Sequence, residues 1–314
     1  MSYTSVISEA WKLFNSGRKF LLYELLFSGA FIFIINIFLF LDDILTKATN
    51  SNSINSDYAA TGEIFNLLLM ILFLLIGGVL TGILGVGIYK GLVGKYLNDK
   101  ILGFRETFKL GIKPFFKVLV ASTLGSIPVF VLIGFLVLIG LLLGIGGYAS
   151  IDNTSSSPYF AGILILTLCC SVLVLLPILF IFNAFLTTVQ NAVLIDNKGV
   201  FESLSYSLHF AKKHFGKLII LLVIALLLSF IESIPTFTFS FLGELLQGAV
   251  STTSKIGELN IAKELINLFT QTLVSLFSLA FGVYFYCYWI VAYIKLKKVG
   301  ETDVIAKDPV VVTT

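Results

Sequence analysis

"FESLSYSLHFAKKHFGKL", Phe201 to Leu218, lies between two of the most apolar stretches of the chain. It holds one acid, three lysines and both histidines of the protein among bulky apolar side chains. Phe201, Leu204, Leu208, Ala211 and Phe215 are spaced 3, 4, 3 and 4, which puts them on one helical face. Glu202, Ser205, His209, Lys212 and Lys213 fall mostly elsewhere around the helix. Such a helix can lie along a membrane surface, aromatics in the acyl boundary and lysines toward anionic headgroups. Each such lysine contributes roughly 1 kcal/mol. The pattern equally fits a helix packed under the spans of its own protein, and the two readings are compatible.

The flanking sequence says which solvent is involved. Apolar residues make up 57% of the chain and charged ones 12%, against about 25% charged in soluble proteins. Crossing a hydrocarbon layer about 30 Å thick takes roughly 20 apolar residues in a helix. Runs of that length or more are Phe20–Leu41, Phe65–Tyr89, Phe115–Gly147, Phe160–Ile195, Leu218–Leu242 and Leu265–Ile294. Backbone groups have no water partner in lipid, so these runs are expected to be helical. The fold class expected is all-α: a polytopic membrane protein of six transmembrane helices with amphipathic cytoplasmic surface helices. A transmembrane barrel would need alternating segments of about 10 residues.

Charge sets the expected orientation. With the N-terminus in the cytoplasm, all of the 21 basic residues except Lys47, Lys255 and Lys263 fall on the inner side. The positive-inside rule then puts both termini in the cytoplasm of a multi-pass cell-membrane protein, and an even number of spans agrees. Lys109, Lys113, Lys117, Lys212, Lys213 and Lys217 are the candidate headgroup contacts. The net charge of +3 does not read as a nucleic-acid partner. No cleavable signal peptide is evident; the first apolar run reads as an uncleaved anchor.

The quoted segment has an echo in "GFRETFKLGIKPFFKVL", Gly103 to Leu119. Gly103, Glu106 and Thr107 match Gly199, Glu202 and Ser203 at an offset of 96, and Lys113, Phe115 and Lys117 match Lys213, Phe215 and Lys217 at 100. A weaker third copy, "VISEAWKLF", has Glu9 in the acid position. The reading is three units of one surface helix plus two spans, over residues 1–98, 99–196 and 197–298, with a cytoplasmic tail at 299–314. Pro114 is expected to mark a bend before the third span. The stretches from Asp42 to Glu63 and from Gln247 to Asn260 are expected to be outside loops. The sequon at Asn153 lies in another.

Candidates for function are few. Glu232 lies beyond the midplane of the fifth span, three residues before Pro235. Intramembrane carboxyls mark functional sites by default, though this one can also reach the interface or hydrogen-bond a neighbouring helix. Asn183, Thr187, Gln190 and Asn191 form a polar stripe in span four that either lines a cavity or joins helices. Glu24, shallow in span one, is expected to snorkel or pair with Lys19. Gly77, Gly78, Gly82, Gly85, Gly87 and Gly91 permit close helix approach in span two. "YFYCYW", Tyr284 to Trp289, reads as an interfacial aromatic belt. Cys169, Cys170 and Cys287 read as packing residues, and no metal site, cofactor or catalytic constellation is expected.

At "AVLIDNKGVFESLSYSLHFAKKHFGKL", Ala192 to Leu218, the chain resembles the membrane domain of some bacterial glycerophosphodiester phosphodiesterases and related standalone six-span proteins. Asp196, Gly199, Glu202, Ser207, Lys213 and Phe215 carry the likeness. The phosphodiesterase domain of that family has no counterpart here, so the resemblance implies a membrane scaffold and no hydrolase. The expected function is non-enzymatic: organising lipids or partner proteins at the cytoplasmic face, with a partner membrane protein or a homo-oligomer as company. The other reading is a small transporter or permease subunit using Glu232 and the span-four stripe.

Overall fold

The computed structural model describes residues 2–51, 56–149, 178–179, 181–253 and 258–307. Every regular element among them is helical: α1 (Tyr3–Ser16), α2 (Arg18–Ser51), α3 (Ser56–Asn98), α4 (Phe104–Ala149), α5 (Ile181–Leu194), α6 (Val200–Lys213), α7 (Phe215–Thr253) and α8 (Glu258–Lys307). Five of these carry a stretch long and apolar enough to cross a membrane: Arg18–Phe40, Met70–Asn98, Phe104–Phe135, Phe215–Val250 and Ile261–Val299. The protein is thus an all-helical, multi-pass integral membrane protein in contact with lipid. Most of the expected fourth span lies outside the described residues, as do the Asn153 sequon, Cys169 and Cys170; the described part of that span is the short helix α5.

Two expectations about helix ends are corrected. The polar stretch after Leu41 extends α2 to Ser51, and α3 is already helical from Ser56. No glycine or proline stands between Asp42 and Thr61 to stop propagation, and each added residue gains a backbone hydrogen bond. Likewise α7 runs to Thr253 and α8 starts at Glu258. Pro114 does not interrupt α4, which is helical from Phe104 to Ala149.

The chain divides into two compact units, residues 1–115 with 224–314, and residues 116–223. In the first, the C-terminal half of α8 is the centre. Val283, Cys287, Tyr288, Ile290, Val291 and Leu296 are all buried, so this segment is enclosed on every side, as an all-round apolar helix must be. Around it stand α1, through Val6, Ala10 and Leu13; α2, through Phe20; and α3, through Leu84, Ile88 and Leu92. Tyr284, Tyr288 and Tyr293 are therefore core residues and not an interfacial belt. Trp11 of α1 meets Tyr284 edge-on with ring centroids 6.0 Å apart.

Glycine decides how closely α3 approaches α4. A Cβ at Gly87 would overlap the carbonyl oxygen of Thr107, and one at Gly111 would overlap that of Ile83. Backbone meets backbone there, which only residues without a side chain allow. Gly91 accepts the ring of Phe20 and Gly77 that of Phe31, whereas nothing stands within 4 Å of the Cβ position at Gly78. Of the two small-residue pairs in this span, Gly87/Gly91 is used at both positions.

In the second unit, Ala121 of α4 packs with Val189 and Val193 of α5, flanked by Phe185, Val200 and Leu204. Gly125 lets α4 take the side chains of Leu186 and Leu204. Asn197, after α5, has φ 54°, the left-handed conformation that asparagine tolerates, and Asp99, after α3, matches it.

Candidate functional site

Two features combine charged and polar side chains in arrangements that the helix packing alone does not require. The first is the face of α6. Its N-terminus is held by Glu202, whose Oε2 accepts from the Gly199 N–H at 3.4 Å and whose Oε1 accepts from Lys198 Nζ at 2.6 Å. The hydrogen bond to Lys198, then that from Gly199, holds the Glu202 carboxyl below its ordinary range; the bond to Glu202 raises Lys198. Gly103 and Glu106 make the same backbone contact at 3.2 Å where α4 begins.

Around α6 the side chains sort into three sectors. Ser203, Ser207, Phe210 and His214 are buried. Roughly 130° away at 100° per residue, the apolar stripe Phe201, Leu208 and Phe215 is exposed, Phe201 by 78%. Glu202, His209 and Lys213 occupy the remaining side. The helix therefore docks through Ser203, Ser207, Phe210 and His214 and turns Phe201, Leu208 and Phe215 outward, unlike a soluble amphipathic helix, which buries its apolar stripe.

The burial register also aligns three helices. Val6, Ala10 and Leu13 in α1, Thr107, Gly111 and Pro114 in α4, and Ser203, Ser207 and Phe210 in α6 are each buried at spacings of 4 and 3. This register sets Ser2, Gly103 and Gly199 at matching positions before the helices, and Ser5 opposite Glu106 and Glu202. Glu9 is thus not the equivalent acid; it has a separate role. Lys109, Lys113 and Lys117 are exposed along α4, as are Lys212 and Lys213 on α6, with Lys217 half-buried at the start of α7.

The second feature is a polar seam between α2 and α8. Glu24 and Ser28 are four residues apart and share a face of α2. Glu24 is only 8% exposed. Its Oε1 accepts from Ser28 Oγ at 3.0 Å, while its Oε2 is buried without a hydrogen-bond partner among the described residues. It does not snorkel. It lines a cavity of about 320 Å³ together with Ser275, Ser278 and Tyr286 of α8. Farther along, Asn36 Nδ2 donates to Thr272 Oγ1 at 3.4 Å, beside a second cavity of about 320 Å³ lined by Asn36, Glu264, Asn267 and Gln271.

The residues singled out from sequence fall elsewhere. Glu232 is half-buried on α7 and is not among the residues lining either cavity. Its backbone carbonyl accepts from Thr236 Oγ1 at 3.3 Å. On α5, Thr187 Oγ1 donates to the carbonyl of Asn183 at 2.8 Å, Gln190 Nε2 donates to Ser122 Oγ of α4 at 3.4 Å, and Asn191 is buried. The Gln190–Ser122 bond joins two helices.

No protein-family model, curated protein or solved structure matches the chain. No family is identified, and the likeness at Ala192–Leu218 has no such match behind it.

Proposed function

We propose that the protein is a non-enzymatic membrane organiser that collects anionic lipid at its basic end. The observation that carries this reading is the three-sector surface of α6, with Phe201, Leu208 and Phe215 exposed beside Lys212 and Lys213. Only His214 separates α6 from the span α7, and on this reading Phe201 and Phe215 meet the acyl boundary. The exposed lysines of α4 supply the same chemistry, and apolar burial plus headgroup attraction is what holds such helices on a membrane. The reading includes a six-span topology with both termini cytoplasmic, three repeated units, and a scaffold of the kind its phosphodiesterase-like segment suggests. A partner membrane protein or a second copy would join through this lipid-bearing end.

The test is lipid mass spectrometry on the purified protein. Anionic phospholipid should be enriched over the bulk membrane, and Lys212→Gln/Lys213→Gln/Lys217→Gln should remove most of that enrichment. A lipid profile equal to bulk in the unaltered protein contradicts the reading. The transporter reading on Glu232 and the α5 stripe has less support, because Gln190 is engaged by Ser122.

A further inference from the structure

The geometry points to an intramembrane binding site for a primary ammonium group in the cavity between α2 and α8, with Glu24 as its anionic partner. Glu24 is more than nine-tenths buried, and its Oε2 has no hydrogen-bond partner among the described residues. Ionising a carboxyl buried this way in a span is costly unless a positive charge accompanies it. The rest of the cavity says what kind. Ser275 of the cavity wall donates to the Gln271 carbonyl at 2.8 Å, so it presents oxygen lone pairs beside the open Glu24 oxygen. An ammonium group offers three donors and no acceptor, which suits that set.

Size and wall chemistry exclude simpler occupants. Divalent cations take six or more oxygen ligands at close range, and among the described residues Glu24 is the one carboxylate lining this cavity. A volume of about 320 Å³ is large for a bare ion and lies at the lower end of small-molecule pockets. Ile32, Val274 and Leu279 form apolar walls, which suit a short alkyl stem behind the charged head. Tyr286 also lines the cavity, and an aromatic ring is a side chain that can accompany a cation. A soluble alkylamine and an aminophospholipid headgroup both carry this chemistry.

The experiment uses the full-length protein in detergent and calorimetric titration with n-hexylamine, with n-hexanol as the uncharged control. Saturable hexylamine binding is expected, weakened about ten-fold or more by Glu24→Gln, with no matching saturable signal from hexanol. Gly282 also lines the cavity, and nothing lies within 4 Å of its Cβ position. Gly282→Val therefore adds bulk at the cavity wall, where its Cβ meets none of the described residues, and should abolish binding even where Glu24→Gln fails to fold. Displacement by dihexanoyl phosphatidylethanolamine, and not by the matching phosphatidylcholine, identifies the source as a headgroup; displacement by neither identifies a soluble amine. Equal binding of amine and alcohol, binding unchanged in Gly282→Val, displacement by sodium ions, or no hexylamine binding each overturns the proposal.

Discussion

Glu9 of α1 and Lys295 of α8 form a 2.6 Å ion pair across 286 residues of sequence. Lys295 also donates to Ser5 Oγ at 2.8 Å, and the Tyr96 hydroxyl of α3 donates to the other Glu9 oxygen at 2.9 Å. One carboxylate thus fastens the first helix to two spans, over the packing of Val6, Ala10 and Leu13.

Removing this fastening should loosen α1 without unfolding the spans. Partly exposed pairs contribute up to about 1 kcal/mol, so Glu9→Gln or Lys295→Met is expected to cost about that much. Trp11, stacked on Phe14 at 5.6 Å and against Tyr284, is the reporter. In a Trp289→Phe background its emission should shift on denaturation earlier in either variant. Acid should act likewise. Burial raises the Glu9 carboxyl, but the bonds from Lys295 and Tyr96 outweigh it and hold its pKa below the ordinary 4.5. A carboxyl depressed on folding stabilises fully above its unfolded value and loses that contribution as pH falls through the folded one. The Trp11 signal should be flat above about pH 5 and change below 4.5. The Glu9→Gln variant should lack that acid transition.

Close approach of α3 and α4 predicts a sharp difference between glycines on one helix. Gly87→Ala or Gly111→Ala sets a methyl against a backbone carbonyl that cannot yield, and overpacking of this kind costs about 1–3 kcal/mol or more. Gly78→Ala meets open space and should be neutral or slightly stabilising through helix propensity. Thermal unfolding in detergent, followed by circular dichroism, distinguishes them; equal losses at Gly78 and Gly87 would contradict the packing described.

Most of the membrane architecture was legible in the sequence, because a run of 20 apolar residues has few alternatives to a spanning helix. Helix ends were not: polar residues after Leu41 read as a loop, yet nothing there stops a helix already under way. The period of α6 gave its apolar stripe, whereas which face docks depends on a neighbour the pattern does not contain. Glu24 was missed for the same reason. Depth along a helix measures distance to the interface, and the side chain turns instead toward α8. A usable signal existed in the pairing of Glu24 with Ser28 and of Ser275 with Ser278, two polar pairs at helical spacing in different spans. Glu232, favoured for its depth, lines neither cavity.

The orientation of α6 tests the account most directly. Nitroxide labels placed singly at Phe201, Leu208, Glu202 and His209, with Cys169, Cys170 and Cys287 replaced by alanine, report oxygen and nickel-chelate accessibility in reconstituted bilayers. All four positions are exposed on the protein, so only the surrounding medium differs. The account predicts oxygen-dominated relaxation at 201 and 208 and chelate-dominated relaxation at 202 and 209. Chelate-dominated relaxation at all four would place the helix in water and contradict it.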